Sequence, residues 1–226
     1  EGKTERECCA YVEAAAKAAG YEAFDFGRKL KAGDKIYYNN RGKNMYLIKV
    51  GTENIAKDGI RIIASHIDSP RLDLKQLPLY ESEGVALGKT HYYGGLRKYQ
   101  WAAMPLALHG VVALKDGATV QVKVGESEGD TVFYISDLLP HLAAKQNQKP
   151  LGNAIEGEQL NIWFGNIPYT AATEDDEKTV KNHVLHLLHD KYGITEANFM
   201  SAELSMVPAF KAKDVGFDRA LLGSYG

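Results

Sequence analysis

The first part of the chain combines an alanine-rich segment with short apolar runs. Thr4 and Glu7 have the spacing of a capping box ahead of "ECCAYVEAAAKAAG", which predicts a helix over residues 5–19. "MYLIKV" (45–50) and "IRIIA" (60–64) are rich in β-branched and other apolar residues, and they predict strands. The second run is continuously apolar, as in a strand that is buried on both faces of a parallel sheet. A helix followed by buried strands favours an α/β layer for the first ~90 residues.

The pattern changes after "HYYGGLRKYQW" (91–101), where alternation of apolar and polar residues becomes dominant. Asp116-Gly117 is a turn signal, and the alternation that follows it predicts a hairpin in an antiparallel sheet with one wet face. The alternating apolar residues are Val120, Val122 and Val124. We therefore expect a second, β-rich unit, with the Gly94-Gly95 turn near the join.

Three more elements are predicted in this second part. "TVFYI" (131–135) and "AELSMVPAF" (202–210) are expected to be strands. Residues 174–190 are expected to form an amphipathic helix, because the acidic run "EDDE" lies at its start, where the helix dipole favours negative charge.

Composition places the chain among soluble globular proteins. It has 226 residues, 45% of them hydrophobic and 25% charged, with a net charge of −2. This charge gives no reason to expect nucleic acid or an anionic membrane as a partner, and no window approaches the roughly 18 apolar residues of a spanning helix. The two cysteines, Cys8 and Cys9, are adjacent and cannot staple the fold, which favours a reducing, cytoplasmic compartment. A start at Glu1 and an end at "LLGSYG" suggest a fragment.

His66 and Asp68 form the first candidate site, at the end of the predicted strand 60–64. Residues two apart on a strand leave from the same side, with Cβ atoms about 6.6 Å apart. The imidazole could then bind a metal while the carboxylate orients the site. The alternative is a strand-end histidine beside a capping aspartate. Ser65 points to the opposite face, which argues against a Ser-His-Asp triad.

Other histidines and aromatic residues support weaker hypotheses. His183, His186 and His189 recur every three residues on the predicted late helix, and a polar, partly exposed helix face is favoured over a metal site. "KTHYYGGLRKYQW" (89–101) could stack on single-stranded bases, but packing aromatics are favoured given the acidic net charge. His141, which follows Pro140 at the start of a short helical stretch, is by itself most simply a surface residue.

Several stretches together resemble one family of metallopeptidases. "ASHIDSPRLDLK", "GKTHYYGGLRKYQW", "ISDLLPHLA", "AIEGEQLNI" and "VPAFKAKDVGFDRALLGSYG" are similar to the bacterial branch of the aspartyl aminopeptidase and vacuolar aminopeptidase I family. The resemblance implies an α/β proteolytic domain with an inserted β-rich dimerisation domain. The first part of the proteolytic domain would span residues 1–91, the insert 92–212, and the return to the proteolytic domain 213–226. Peptides are the implied substrates, and dimers that assemble into dodecamers are the implied oligomers.

The resemblance also implies roles for individual residues. His66 matches the first metal-binding histidine of the family, and Asp68 matches the acid that orients the catalytic site. His141 resembles a histidine of the inserted domain, either a metal ligand or a residue that reaches a neighbouring subunit's substrate pocket. Two zinc ions are implied for the complete enzyme, although manganese and cobalt suit the same ligand types.

The family's other metal ligands and its general base follow "GFDRALLGSYG", where this chain ends. One histidine and one acid cannot hold two ions, since zinc needs about three protein ligands. We therefore expect a metalloaminopeptidase represented by a fragment that is inactive alone. The alternative is a non-catalytic assembly module derived from the same family. A hydrolase with a Ser or Cys nucleophile is disfavoured, because neither residue sits in a recognisable nucleophile turn.

Overall fold

The computed structural model describes residues 2–170 and 177–225. The chain divides into two compact units, an N-terminal unit that extends to Ser69 and a C-terminal unit that starts at Pro70. None of the helices in these described ranges is long and apolar enough to cross a membrane.

The N-terminal unit contains two helices and a three-stranded sheet. In chain order its elements are α1 (Glu5–Ala18), β1 (Glu22–Ala23), β2 (Lys35–Asn40), β3 (Asn44–Lys49) and α2 (Ile55–Asp58). The strand order is β1-β2-β3, in which β1 pairs parallel to β2 and β2 pairs antiparallel to β3. The predicted strand "MYLIKV" is confirmed as β3.

Helix α1 begins at the predicted capping box. The Thr4 side chain accepts a hydrogen bond from the Glu7 backbone N–H at 3.3 Å, and the Glu7 carboxylate accepts one from the Thr4 N–H at 3.1 Å. Two otherwise unpaired N–H groups at the helix start are thereby satisfied. On the sheet side, the Glu13 carboxylate accepts hydrogen bonds from Asn39 Nδ2 at 2.7 Å and from the Tyr37 hydroxyl at 3.3 Å. The helix predicted over 5–19 is confirmed.

The strand predicted at residues 60–64 is wrong in this structure. The segment has no regular secondary structure and pairs with no strand among the described residues. Its isoleucines are exposed: Ile60 by 65%, Ile62 by 75% and Ile63 by 100%. A strand that is apolar on both faces needs neighbours at both edges and a layer over each face. The three-stranded sheet of the same unit consists of β1, β2 and β3 and does not include this segment.

The C-terminal unit is built around one large sheet. Its strands and helices are β4 (Arg71–Ser82), β5 (Val85–Tyr93), β6 (Leu106–Ala113), β7 (Thr119–Val124), α3 (Ala144–Asn147), β8 (Ile162–Gly165), α4 (Val180–Tyr192), β9 (Ala202–Pro208), β10 (Lys213–Val215) and β11 (Leu221–Gly223). Short 3₁₀ helices cover Lys98–Gln100, Leu151–Asn153, Gly157–Gln159 and Glu196–Ser201.

The large sheet has six strands in the order β7-β6-β9-β4-β5-β8, and every neighbouring pair is antiparallel. Helix α4 packs against β4, β5 and β8. Strands β10 and β11 form a separate antiparallel hairpin. The buried core of the unit includes Leu72, Trp101, Leu106, Leu108, Val112, Leu160, Ile162, Ile194 and Met206.

The sequence-based predictions for this unit are largely confirmed. Asp116 and Gly117 lie in the turn between β6 and β7, and Val122 and Val124 are buried while Gln121 is exposed. The strand predicted at 202–210 is β9. The segment "TVFYI" forms only two isolated bridges, Leu106↔Phe133 and Tyr134↔Trp163, rather than a strand.

The late helix and the boundary between units differ from expectation. The helix begins at Val180 rather than in the acidic run, and residues 174–176 of that run lie outside the described residues. The contact boundary falls after Ser69 and not near Gly94-Gly95, because β4 and β5 pair within the sheet of the C-terminal unit. The division into proteolytic and inserted domains at residues 91 and 212 is a functional one and stays a prediction.

The carboxylate of Asp130 stabilises the loop that follows β7. Asp130 Oδ2 accepts hydrogen bonds from the backbone N–H groups of Gly125 at 3.0 Å, Glu126 at 3.2 Å and Ser127 at 3.0 Å. Hydrogen bonds from Ser127, Gly125 and Glu126 hold the pKa of Asp130 below its usual value, because they stabilise the ionised form.

The lowered pKa of Asp130 predicts a dependence of stability on pH. A carboxyl whose pKa is lower in the folded state stabilises the fold above its unfolded pKa of about 3.9, and this contribution is lost as the pH falls through the folded pKa. Asp130→Asn keeps an acceptor but cannot titrate. We expect the wild type to lose stability relative to Asp130→Asn between about pH 5 and about pH 2, as measured by urea midpoints. Parallel midpoints over this range would contradict the assignment.

Candidate active site

His66 lies in the irregular segment at the C-terminal end of the N-terminal unit. Its side chain is 82% exposed, and its Nδ1 is 2.8 Å from the backbone carbonyl oxygen of Asp68 and 3.4 Å from Asp68 Oδ1. A carbonyl oxygen can only accept a hydrogen bond, so Nδ1 carries the proton in this contact. In the neutral ring the lone pair is then on Nε2, which is the tautomer that binds a metal through Nε2.

The structure brings together the two residues that the sequence singled out as a pair. Asp68 contacts the His66 ring from a part-buried position, with its side chain 35% exposed. A carboxylate beside the Nδ1–H of a histidine fixes the orientation of the ring. The pair has the geometry of a metal ligand and its orienting acid, although β pairing does not support the segment. Metal binding by His66 stays a prediction.

The donor types around His66 suit a divalent metal, but their number is too small. Imidazole and carboxylate are ligands of zinc, and a catalytic zinc site takes three protein ligands. Within residues 2–170 and 177–225, no group of three or more His, Cys, Asp and Glu side chains is placed to hold an ion. The described residues alone therefore do not complete a zinc site.

His141 lies in the C-terminal unit, in a turn just before α3, and it is exposed. No cluster of metal-ligating side chains surrounds it in the described part of the chain. The structure thus gives the position of His141 but no partner set, and its role also stays a prediction.

The three histidines of α4 have separate local roles. His183 Nδ1 is 2.8 Å from the backbone oxygen of Ile167, and the His186 ring stacks on Tyr169 with centroids 4.0 Å apart and planes 3° apart. His189 Nδ1 is 3.8 Å from Asp190 Oδ1. Two of the three contacts join α4 to the segment before it, which is a structural use of imidazole rather than a shared metal site.

The basic and aromatic residues of segment 89–101 mostly pair with one another or with the adjacent strand. The guanidinium of Arg71 lies 3.9 Å from the centroid of the Tyr93 ring, and Lys98 Nζ is 5.7 Å from that of Tyr92. Trp101 is fully buried. These contacts fit the packing hypothesis, since cations over aromatic faces and a buried indole stabilise a fold.

The sequence did not indicate a polar network at the start of β4. Arg71 is buried and its Nε donates to Asp73 Oδ1 at 2.8 Å, and the Ser205 hydroxyl donates to the same oxygen at 2.6 Å. Ser205 lies on β9 and is far from Asp73 in sequence, so only the strand pairing brings them together. The sequence did contain one signal for this network. Arg71 and Asp73 are two residues apart, and residues with this spacing on a strand share a face.

The comparisons with known proteins agree with this architecture. The profile of the family described as "Aminopeptidase I zinc metalloprotease (M18)" matches residues 1–226. A relative from Clostridium acetobutylicum, named probable M18 family aminopeptidase 1, is 49% identical over 228 residues, which cover 99% of this chain and 48% of the relative. The chain thus spans about half the length of the curated relatives it matches.

Solved structures show the same fold. The crystal structure of an M18-family aminopeptidase from Thermotoga maritima matches with a TM-score of 0.90 and 39% identity, over 99% of this chain and 48% of that one. A yeast mApe1 structure that is described as a dodecamer matches with a TM-score of 0.67 over 97% of this chain and 48% of that one. Its 18% identity indicates a shared fold alone. The α/β fold class and the family resemblance are both confirmed: the chain belongs to the aminopeptidase I zinc metalloprotease family, M18.

Proposed function

We propose that this chain is part of a metal-dependent aminopeptidase that removes N-terminal residues from peptides. The observation that carries the proposal is the match of all 226 residues to the M18 family, within which the exposed His66 ring contacts Asp68. The chain spans about half of its relatives, so the activity belongs to the longer protein.

His66 and Asp68 have distinct roles in this proposal. His66 would bind one zinc ion through Nε2, while the Asp68 carbonyl and carboxylate hold Nδ1–H and the ring orientation. The chemistry that zinc supplies in such enzymes is polarisation of the scissile carbonyl and activation of water. Asp68 also places a negative charge beside the imidazole, which strengthens the ligand without occupying the coordination sphere.

The remaining ligands of a two-ion site would come from outside the described residues. His141 is the other candidate in this chain, as a ligand or as a residue that reaches a neighbouring subunit's substrate pocket. Manganese or cobalt could replace zinc, because imidazole and carboxylate bind all three. Since two side chains cannot hold two ions, we propose that the 226-residue chain has no peptidase activity by itself.

The proposed enzyme is a homo-oligomer of the cytoplasm that acts on peptides and binds neither nucleic acid nor membranes. Dimers that assemble into dodecamers are the proposed arrangement. This arrangement is the one that the family resemblance implies. The net charge of −2 argues against nucleic acid as a partner.

The test compares two histidine substitutions in the family-length protein. We expect His66→Ala to lose bound metal and to reduce peptide hydrolysis by at least about 100-fold. Removing the hydrogen-bond partner of a metal ligand lowers activity by about 10- to 100-fold, and removing the ligand itself should have a larger effect. His186→Ala removes a histidine that stacks on Tyr169 and should leave metal content and hydrolysis nearly unchanged. Metal is measured by elemental mass spectrometry. Equal metal content in wild type and His66→Ala would refute the assignment.

A second candidate is a non-catalytic assembly module. The observation that favours it is the lack of a three-ligand cluster among the described residues, beside a complete six-stranded sheet. The two candidates differ in the gene: an aminopeptidase continues beyond Gly226 into a stretch with Asp, Glu-Glu and a late His. A stop codon directly after Gly226 would favour the module.

A further inference from the structure

The C-terminal unit has a cleft whose lining includes neither His66 nor Asp68. Its volume is about 500 Å³, within the range of small-molecule sites. The residues that matter for its chemistry are Ile135, Asp137, Leu138, Lys145, Gln146 and Ile155. All of them lie in the segment between β7 and β8, so the cleft is formed within one unit.

The cleft is apolar where it meets the core. Ile135 and Ile155 are only 2% and 6% exposed, and both belong to the buried cluster of the unit. Leu138 lies at the cleft with 55% of its surface exposed. An aliphatic side chain that entered the cleft would therefore be removed from water against hydrocarbon, which is the main source of affinity in such sites.

Two opposite charges line the same cleft without forming an ion pair. Asp137 Oδ1 accepts hydrogen bonds from the Leu138 backbone N–H at 2.8 Å and from Gln146 Nε2 at 3.0 Å, so the carboxylate is held in place. Neither Asp137 nor Lys145 has an ion-pair partner among the residues described here. A second lysine of the cleft, Lys149, is paired with Glu156 at 3.1 Å.

We propose that this cleft binds a free α-amino acid with an aliphatic side chain. The ligand carboxylate pairs with Lys145, the ligand ammonium pairs with Asp137, and the side chain lies against Ile135 and Ile155. A zwitterion matches a site with one fixed anion and one cation, whereas a ligand with a single charge leaves one of them uncompensated.

This binding site goes beyond the proposed function and does not depend on it. Binding is followed at the cleft residues themselves and needs no measurement of peptidase activity. A failure of the metal assignment at His66 thus leaves the cleft proposal standing, and a failure at the cleft leaves the metal assignment standing.

The first experiment titrates the ¹⁵N-labelled 226-residue chain with three ligands while backbone amide shifts are followed. L-leucine carries both charges, N-acetyl-L-leucine lacks the ammonium and L-leucinamide lacks the carboxylate. We expect saturable shifts at residues 135–138, 145–146 and 154–155 with L-leucine, with a Kd of about 1–10 mM for a ligand of this size in an open cleft. Each of the other two ligands should bind more weakly than L-leucine by a factor of about five or more.

The second experiment assigns each charge to one side chain. Lys145→Gln should weaken L-leucine about fivefold and should not weaken L-leucinamide, because that ligand has no carboxylate for Lys145 to bind. Asp137→Asn keeps the acceptor for Leu138 and Gln146. It should weaken L-leucine and should not weaken N-acetyl-L-leucine, which has no ammonium for Asp137 to bind. Lys115→Gln, an exposed lysine in the β6–β7 turn, is the matched control and should change nothing.

Three results would overturn the proposal. One is equal affinity for the three ligands, since the site would then not recognise the ammonium and the carboxylate of L-leucine. Another is the absence of saturable shifts at the cleft at concentrations of L-leucine up to about ten times the expected Kd. The third is retained affinity for L-leucine in both Lys145→Gln and Asp137→Asn, which would place the ligand elsewhere.

Discussion

Gly110→Ala should unfold or severely destabilise the C-terminal unit. Gly110 lies in the middle of β6 with φ of +146°, and an added Cβ would stand 1.9 Å from the backbone oxygen of Glu203 and 2.9 Å from its carbonyl carbon. Backbone atoms of β9 cannot move aside without breaking the pairing between β6 and β9. We expect the free energy of unfolding to fall by more than about 4 kcal/mol, because losses of this size arise from severe steric clashes and backbone strain.

The control for this prediction is another glycine-to-alanine change in the same unit. A Cβ added at Gly152 would meet no other atom within 4 Å, and its backbone is not in the left-handed region. Gly152→Ala should therefore change stability by no more than about 0.5 kcal/mol. Urea unfolding followed by far-UV circular dichroism measures both variants. A midpoint for Gly110→Ala close to that of Gly152→Ala would show that β9 is not as near to Gly110 as described.

Trp101→Ala should be the most damaging change of a core side chain. Trp101 is fully buried, its ring meets Tyr225 edge to face with centroids 5.3 Å apart, and its Nε1–H donates to the Tyr225 hydroxyl at 2.6 Å. Truncation leaves a cavity and a lost hydrogen bond, which together cost about 3–5 kcal/mol. The urea midpoint of the C-terminal unit should fall accordingly.

Two variants separate packing from hydrogen bonding at this position. Trp163 is the other tryptophan of the chain and is 46% exposed, so Trp163→Ala should cost only about 1 kcal/mol. Tyr225→Phe keeps the ring but removes the acceptor of the buried indole N–H, at a cost of about 1–3 kcal/mol. Equal losses for Trp101→Ala and Trp163→Ala would be inconsistent with the burial of Trp101.

Elements with local signals were predictable from the sequence. Helix α1 depends on Thr4 and Glu7, which are three residues apart, and the β6–β7 hairpin depends on Asp116-Gly117 and the valines that follow. In both, the residues that determine the element are close together in the chain. Helix α4 was predicted in type but not in its start, because Thr179, which accepts from the Asn182 N–H at 3.1 Å, provides the cap rather than the acidic run.

Features that depend on distant partners were not predictable. The apolar run at 60–64 has the composition of an interior strand, yet composition does not supply neighbouring strands, and the segment is exposed here. The contact of His66 with Asp68 was predictable because it needs only two residues of spacing. The cleft at Asp137 and Lys145 was not, since its apolar lining residues Ile135 and Ile155 are far apart in the sequence.

The order of strands in the large sheet has a consequence for how the protein folds. Strand β9, at residues 202–208, lies between β6 and β4, which are made much earlier. The hairpins β4–β5 and β6–β7 can form from neighbouring residues, but they cannot join until β9 emerges from the ribosome. Closing such long loops is slow and leaves strand edges open in the meantime. During synthesis we therefore expect the two hairpins to stay unpaired with each other. The six-stranded sheet is completed only when β9 pairs with both β6 and β4.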